Sequence, residues 1–300
     1  LALKDSSKER HDFVIVSTVS PGTIEKSLIP LIEEYSGRKV NEGFGIAYNP
    51  EFIALGDVIN GLLRPDLVLI GEGDKEIGDK LEKMYQDYIL ENGPYIARMS
   101  IISAEITKIA LNAYITMKIS YANTLGNICE KIPGADIDAI TRALGADKRI
   151  SPYYLKAGLP FAGPCFPRDS RAFFAFAKKY GVEAKLAKAT DEINDIQIPR
   201  LVEKIFSQAD PEKPIGILGL AYKPNTPVIE ESPAIKLIEA LLAKGFKVIV
   251  YDPLAMENTK QVFQDKIEYA SSPQQVLQKS NCVIVTTQEV EFKNLQDKDI

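Results

Sequence analysis

The sequence predicts an α/β chain in which two α/β blocks flank a helical middle segment. Three observations lead there. Short β-branched runs alternate with amphipathic stretches over roughly the first hundred residues. Strand signals then vanish from about 103 to about 207, and the alternation returns from there to the last residues. A chain of 300 residues, 45% apolar and 26% charged, has enough length for two or three cores.

In the first block FVIVST (Phe13 to Thr18), GIAYNP (Gly45 to Pro50) and DLVLIG (Asp66 to Gly71) read as strands, and GTIEKSLIPLIEEY and DKEIGDKLEKMYQDYI as the helices between and after them. This is the rhythm of a parallel layer. In the middle, AEITKIALNAYITMKISYANTLGNICEKI is apolar around so much of its circumference that a long, largely buried helix is expected, at a domain or subunit seam. PEKP reads as a linker edge, IGILGLAY as a buried strand, Pro233 to Lys244 as a helix, and KVIVYD and CVIVTT as further strands. The expected domains are 1–99, 100–207 and 208–300. Three or four strands are few for a parallel sheet, the first block opens in a polar fragment, and the chain stops at QDKDI where another strand is due. The first and last blocks are therefore expected to be truncated domains of a longer protein.

A net charge of −5 and a pI near 5.3 argue against a nucleic-acid surface. No apolar run is long enough for a membrane span, and LALKDSSKERHDF has neither the basic start nor the apolar core of a secretory signal. Cys129, Cys165 and Cys282 lie far apart and are odd in number, which suits a reducing cytoplasm and fits no zinc spacing. No metal is expected. His11, the single histidine, reads as a solvated residue.

The stretch LPFAGPCFPRDS (Leu159 to Ser170) places Cys165 between two prolines, just ahead of the helical run RAFFAFAKKY. A thiol near a helix amino terminus meets partial positive charge that favours the thiolate, and Arg168 adds to that field. Gly163 permits close approach to the backbone, and Pro164 and Pro167 stiffen the turn.

GPCFPRD resembles the GGxCxPKD cysteine motif of the UDP-glucose/GDP-mannose dehydrogenase family, NAD-dependent enzymes that oxidise the C6 hydroxyl of a nucleotide sugar to a carboxylate. Five other strings are similar in family order: STVSPGT (Ser17 to Thr23), NPEF (Asn49 to Phe52), ITKIALNAY (Ile106 to Tyr114), the loop RISPYYLKAG (Arg149 to Gly158), and LGLAYKPNT (Leu218 to Thr226). The resemblance implies two Rossmann-like domains joined by a helical dimerisation domain. It implies Cys165 as nucleophile, Lys108 and Asn112 as stabilisers of the oxyanion at C6, and Asp169 as the group that helps a water take the alcohol proton. Glu51 is implicated in thioester hydrolysis with Thr18 orienting water. Thr18, Glu51 and Arg168 would flank NAD, while Arg149, Tyr154, Lys156, Phe161, Gly163 and Lys223 would bind the UDP-sugar, in a homodimer. The spacing agrees where it can be tested on paper: Lys108 and Asn112 are four apart and share a helix face.

Three departures stand against the family pattern. GFGIAY (Gly43 to Tyr48) is no GxGxxG fingerprint, and none occurs elsewhere in the sequence. Leu55 stands where many relatives have glutamate, and Glu230 where the third domain usually has arginine before Glu-Ser. UDP-glucose and UDP-N-acetylmannosamine-type sugars both stay open as substrates, and Leu55 and Arg168 tilt slightly away from a plain glucose enzyme. Two other readings stay open: a sugar-nucleotide-binding homologue without redox activity, and a two-electron hydroxy-acid dehydrogenase, which would need no cysteine.

Overall fold

A computed structural model describes residues 7–53, 56–89, 93–210 and 212–295. The chain divides into two compact units, Leu1–Leu111 with Ala175–Val182, and Asn112–Phe174 with Glu183–Ile300.

The first unit holds a four-stranded sheet in the order β1 (His11–Ile15), β2 (Phe44–Tyr48), β3 (Leu67–Glu72), β4 (Tyr95–Ser100). A π-helical turn, Ile24–Leu28, runs into α1 (Ile29–Ser36), which ends where Gly37 adopts φ 71°, a left-handed cap that glycine takes without strain. The other helices are α2 (Val58–Leu63) and α3 (Lys75–Tyr88), the latter started by the Asp74 carboxylate accepting from the Ile77 N–H. Ile24, Phe44, Ile46, Leu69 and Ile101 fill one side of the sheet, and Val68, Ile70, Ile77 and Leu81 the other.

The expected parallel layer is only partly realised. β1–β2 and β3–β4 are parallel, but β2 and β3 run antiparallel over the pairs Ala47↔Glu72 and Tyr48↔Gly71. A parallel crossover needs a helix that covers the sheet. The connection here carries only α2, which buries no residue, so it acts as a return loop. β4 escapes the sequence reading because YIARMS, with Arg98 and Ser100, lacks a clean apolar alternation.

α4 (Ile101–Cys129) starts in the first unit and continues in the second after Leu111. It is followed by α5 (Ile137–Ala146), α6 (Phe166–Lys179), α7 (Lys185–Asp195) and α8 (Gln197–Gln208). The third block contains β5 (Ile215–Leu218), α9 (Pro233–Ala243), β6 (Val248–Tyr251), α10 (Met256–Phe263), β7 (Glu268–Tyr269), α11 (Pro273–Lys279), β8 (Cys282–Val285) and α12 (Val290–Lys293). Its sheet, in the order β7-β6-β5-β8, is parallel throughout. Ile198, Val202 and Ile205 of α8 pack with Ile215, Ile217, Leu237 and Leu241, so α8 shares the core of this sheet.

β5 is shorter than IGILGLAY predicts. Gly219 turns the chain at φ 95°, and a Cβ there would lie 2.1 Å from Thr287 Oγ1. The loop that follows is held by Asp252, at the end of β6. Its buried carboxylate accepts from the N–H groups of Leu220 (2.7 Å), Ala221 (3.3 Å), Leu254 (2.7 Å) and Ala255 (2.7 Å). Ser232 Oγ donates to Leu220 O and accepts from Ala234 N, which ties the same loop to the start of α9. Replacing Asp252 by alanine strands four donors, and denaturant unfolding is expected to show a loss of about 3 kcal/mol.

Candidate active site

The long helix α4 carries a line of buried polar residues at helical spacing: Glu105, Lys108, Asn112, Thr116, Ser120 and Asn123. Every one of these side chains bonds to a backbone or side-chain group.

In the first unit, the Lys108 ammonium donates to Glu51 O at 2.5 Å and lies 4.3 Å from the centre of the Phe52 ring. One turn earlier on α4, the fully buried Glu105 carboxylate accepts from Gly22 N (2.5 Å) and Ile24 N (3.0 Å). The turn STVSPGT that carries Thr18 is thereby fixed to the helix that carries Lys108. Asn49 sets the neighbouring strand end, with its N–H on Ile15 O, its amide on Leu69 O and its carbonyl receiving the Tyr85 hydroxyl. Thr18 is half-buried and the Glu51 side chain exposed, each just past the carboxyl end of a strand in the parallel β1–β2 pair, where α/β sheets place ligand groups. This fits the flank of an NAD site. It supplies no pyrophosphate cradle among the described residues, since Glu105 takes up N–H groups at the helix start that follows β1.

In the second unit, Cys165 is exposed and immediately precedes α6; its carbonyl accepts from Asp169 N at 2.8 Å, so the thiol heads the first helical turn. Asp169 is buried, with one carboxylate oxygen on Asn112 Nδ2 (2.7 Å) and the other on Arg168 Nε (2.9 Å). The structure thus brings together Cys165, Asp169, Arg168 and Asn112.

Two asparagines hold the loop before the cysteine. Asn123 accepts from Gly158 N (2.8 Å) and donates to Leu159 O (3.2 Å); Asn194 of α7 accepts from Phe161 N (2.7 Å) and donates to Phe161 O (3.1 Å). Phe161 is buried. Gly163, at φ 82°, has the Tyr222 ring against it, and the Lys223 ammonium lies 5.7 Å from that ring's centre. Tyr154, at φ 59° and exposed, meets Phe166 edge-on at 6.2 Å.

The remaining predicted residues lie at the surface. Arg149 is exposed, and its guanidinium forms three hydrogen bonds to Asp147, at 3.0, 3.2 and 2.6 Å. Lys156 and Glu230 are exposed, and Leu55 lies outside the described residues. The sequence reading missed Glu105, Asn123, Asn194 and Tyr222. Polar residues spaced three and four apart on an apolar helix were a usable signal for the first two; nothing in DEINDIQ marks Asn194. Among the described residues no cluster could hold a metal ion, and no helix is long and apolar enough to cross a membrane.

Burial raises the Glu105 carboxyl above its ordinary 4.5, against the opposing pull of two N–H donors. The folded protein therefore binds this proton more tightly than the unfolded chain, and the associated stability falls as pH rises from 4.5 through the folded value. Urea unfolding across this range should show the wild type losing stability relative to Glu105→Gln; a flat difference would reject the assignment.

Residues 2–89, 102–196 and 216–300 match the models for the NAD binding, central and UDP binding domains of the UDP-glucose/GDP-mannose dehydrogenase family. A UDP-glucose 6-dehydrogenase of Haloferax volcanii is 39% identical over 99% of the chain and 69% of its own length. One from Rickettsia bellii is 35% identical over 94% of the chain and 64% of its length. The solved UDP-glucose dehydrogenase of Pyrobaculum islandicum superimposes with a TM-score of 0.87 at 34% identity, covering 97% of this chain and 66% of that one. The chain spans about two thirds of the length of these relatives. The NAD binding domain match makes NAD the cofactor of the class, and the ordered match of all three domains places the chain in the UDP-glucose/GDP-mannose dehydrogenase family.

Proposed function

We propose that this protein oxidises the C6 hydroxyl of a UDP-sugar to the carboxylate in two NAD-dependent steps, with Cys165 carrying the intermediate. The observation that carries the reading is the buried Asp169 carboxylate, which joins Asn112 of α4 to the helical turn headed by an exposed cysteine. A thiol needed only for packing would be covered.

The roles follow the chemistry of each side chain. Asp169 orients a water that accepts the C6 hydroxyl proton as hydride leaves the carbon. The Cys165 thiolate then adds to the aldehyde carbon, and the carbonyl electron pair becomes an oxyanion held by the Lys108 ammonium and the Asn112 amide, giving a thiohemiacetal. Loss of a second hydride leaves a thioester. Water positioned by Glu51 and Thr18 attacks it, the C–S bond breaks, and Cys165 departs as thiolate. NAD, when bound, takes up one hydride in each oxidation.

Lys223 supplies a cation for the diphosphate, with Arg149 and Lys156 as further cations and Tyr154, Phe161 and Gly163 shaping the sugar-side loop. UDP-glucose is the first substrate to test, since the relatives named above are UDP-glucose enzymes. We place the enzyme in the cytoplasm as a homodimer formed through the helical domain. Tyr114, Tyr121 and Ile128, seven residues apart on α4 and exposed, support that interface.

The test is to give the purified protein NAD and UDP-glucose and count reduced cofactor per uronate formed. Two per uronate are required by the four-electron balance, and NAD reduction that stops at one per sugar with the aldehyde as the product would overturn the proposed function. Binding of UDP-glucose with no NAD reduction would favour the non-redox homologue. Cys165→Ser should lose complete turnover by a factor of at least about 10³.

A further inference from the structure

We propose that Tyr222 is a positioning residue that couples nucleotide binding at the Lys223 loop to the placement of the Cys165 thiol. The inference rests on the reading above that the UDP moiety binds at Lys223.

A Cβ built at Gly163 would lie 2.5 Å from Tyr222 Cδ2 and 2.6 Å from Cε2, so the edge of the ring occupies the space that any other residue at 163 would claim. Gly163 also sits at φ 82°, a conformation that side-chain-bearing residues rarely adopt. Two residues later comes Cys165. Burial, with a further contribution from the Cys165 charge, raises the Tyr222 phenol, which agrees with this proximity.

The loop bearing Tyr222 belongs to the third block. Tyr222 N donates to Val228 O at 3.1 Å, Thr226 Oγ1 accepts from Val228 N at 3.3 Å, and the buried Glu289 carboxylate accepts from Asn225 N at 3.1 Å. Lys223 is the next residue, its ammonium 5.7 Å from the ring centre. Adjacent side chains of one short loop therefore serve two tasks: a cation suited to phosphate, and a ring seated on the cysteine loop.

The cysteine loop is held on either side of this contact. Asn123 and Asn194 clamp Gly158, Leu159 and Phe161 upstream, and Asp169 ties the first turn of α6 downstream. The short run Ala162 to Pro164 between these anchors is where the ring bears. A diphosphate that draws Lys223 toward it shifts the neighbouring ring, and the ring shifts Gly163 and the thiol that follows. An ion pair between Arg171 and the half-buried Glu231 at 3.7 Å gives a second tie between α6 and the same loop region.

The test uses UDP as the probe and alkylation of Cys165 by iodoacetamide as the readout, followed by peptide mass spectrometry, with Cys129 and Cys282 as internal references. Calorimetry measures UDP binding in parallel. In the wild type and in Tyr222→Phe, saturating UDP should slow Cys165 alkylation about fivefold or more. In Tyr222→Ala and Tyr222→Leu, UDP should still bind, while its effect on the Cys165 rate drops below about twofold. Protection that persists in both variants would show that the diphosphate screens the thiol directly and would overturn the coupling. UDP that binds the wild type without changing the Cys165 rate would overturn it as well. UDP that fails to bind the wild type would instead refute the nucleotide site on which the inference rests. Two variants of different size guard against one failing to fold.

Discussion

The site depends first on a buried carboxylate that is fully paired. Asp169 is removed from water, and an unpaired charge in such a place would cost several kcal/mol, roughly the stability margin of a small domain. Asn112 and Arg168 each engage one of its oxygens, and its own backbone N–H closes the turn onto the carbonyl of Cys165. The position of the thiol is therefore a consequence of electrostatic satisfaction three and four residues further along the chain and across to α4. Either partner removed, the helix start would have to move so that the carboxylate could reach solvent.

The same principle runs along α4. A helix with apolar residues around most of its surface would be content in any rotation about its axis, and packing alone would specify it weakly. The buried line from Glu105 to Asn123 removes that freedom, because only one rotation satisfies every polar group in it. Each member holds a different segment: Glu105 the turn after β1, Lys108 the strand end at Glu51, Ser120 the carbonyl of Thr190 on α7, Asn123 the loop toward the cysteine. Under the proposed mechanism Lys108 and Asn112 serve chemistry as well as fold specification, from a helix rather than from a mobile loop.

Much of this was legible in the sequence. The α/β alternation, the long helix, the helix start after Cys165 and the pairing of Lys108 with Asn112 on one face all follow from periodicity and punctuation. The antiparallel step between β2 and β3 did not, because strand direction depends on whether the intervening helix covers the sheet, and VINGLL carries no mark of its exposure. β5 was read too long because LGLAY is continuous in hydropathy, while Gly219 turns the backbone at φ 95°. The clamps at Asn123 and Asn194 are contacts 33 to 36 residues apart in the chain, which no local pattern reports. Arg149 and Lys156 carry a charge suited to phosphate, and their exposure leaves that role to the bound state.

The central claim is that Cys165 bonds covalently to the sugar carbon. It is tested most directly by running the reaction with UDP-glucose and NAD in the Glu51→Gln variant, in which hydrolysis of the thioester should stall, then quenching in acid and mapping the adduct by mass spectrometry. The account predicts a uronyl thioester on the peptide that contains Cys165, together with about two reduced NAD per adduct formed. Reduced NAD and free uronate with no adduct on that peptide, or an adduct on Cys129 or Cys282 instead, would contradict it.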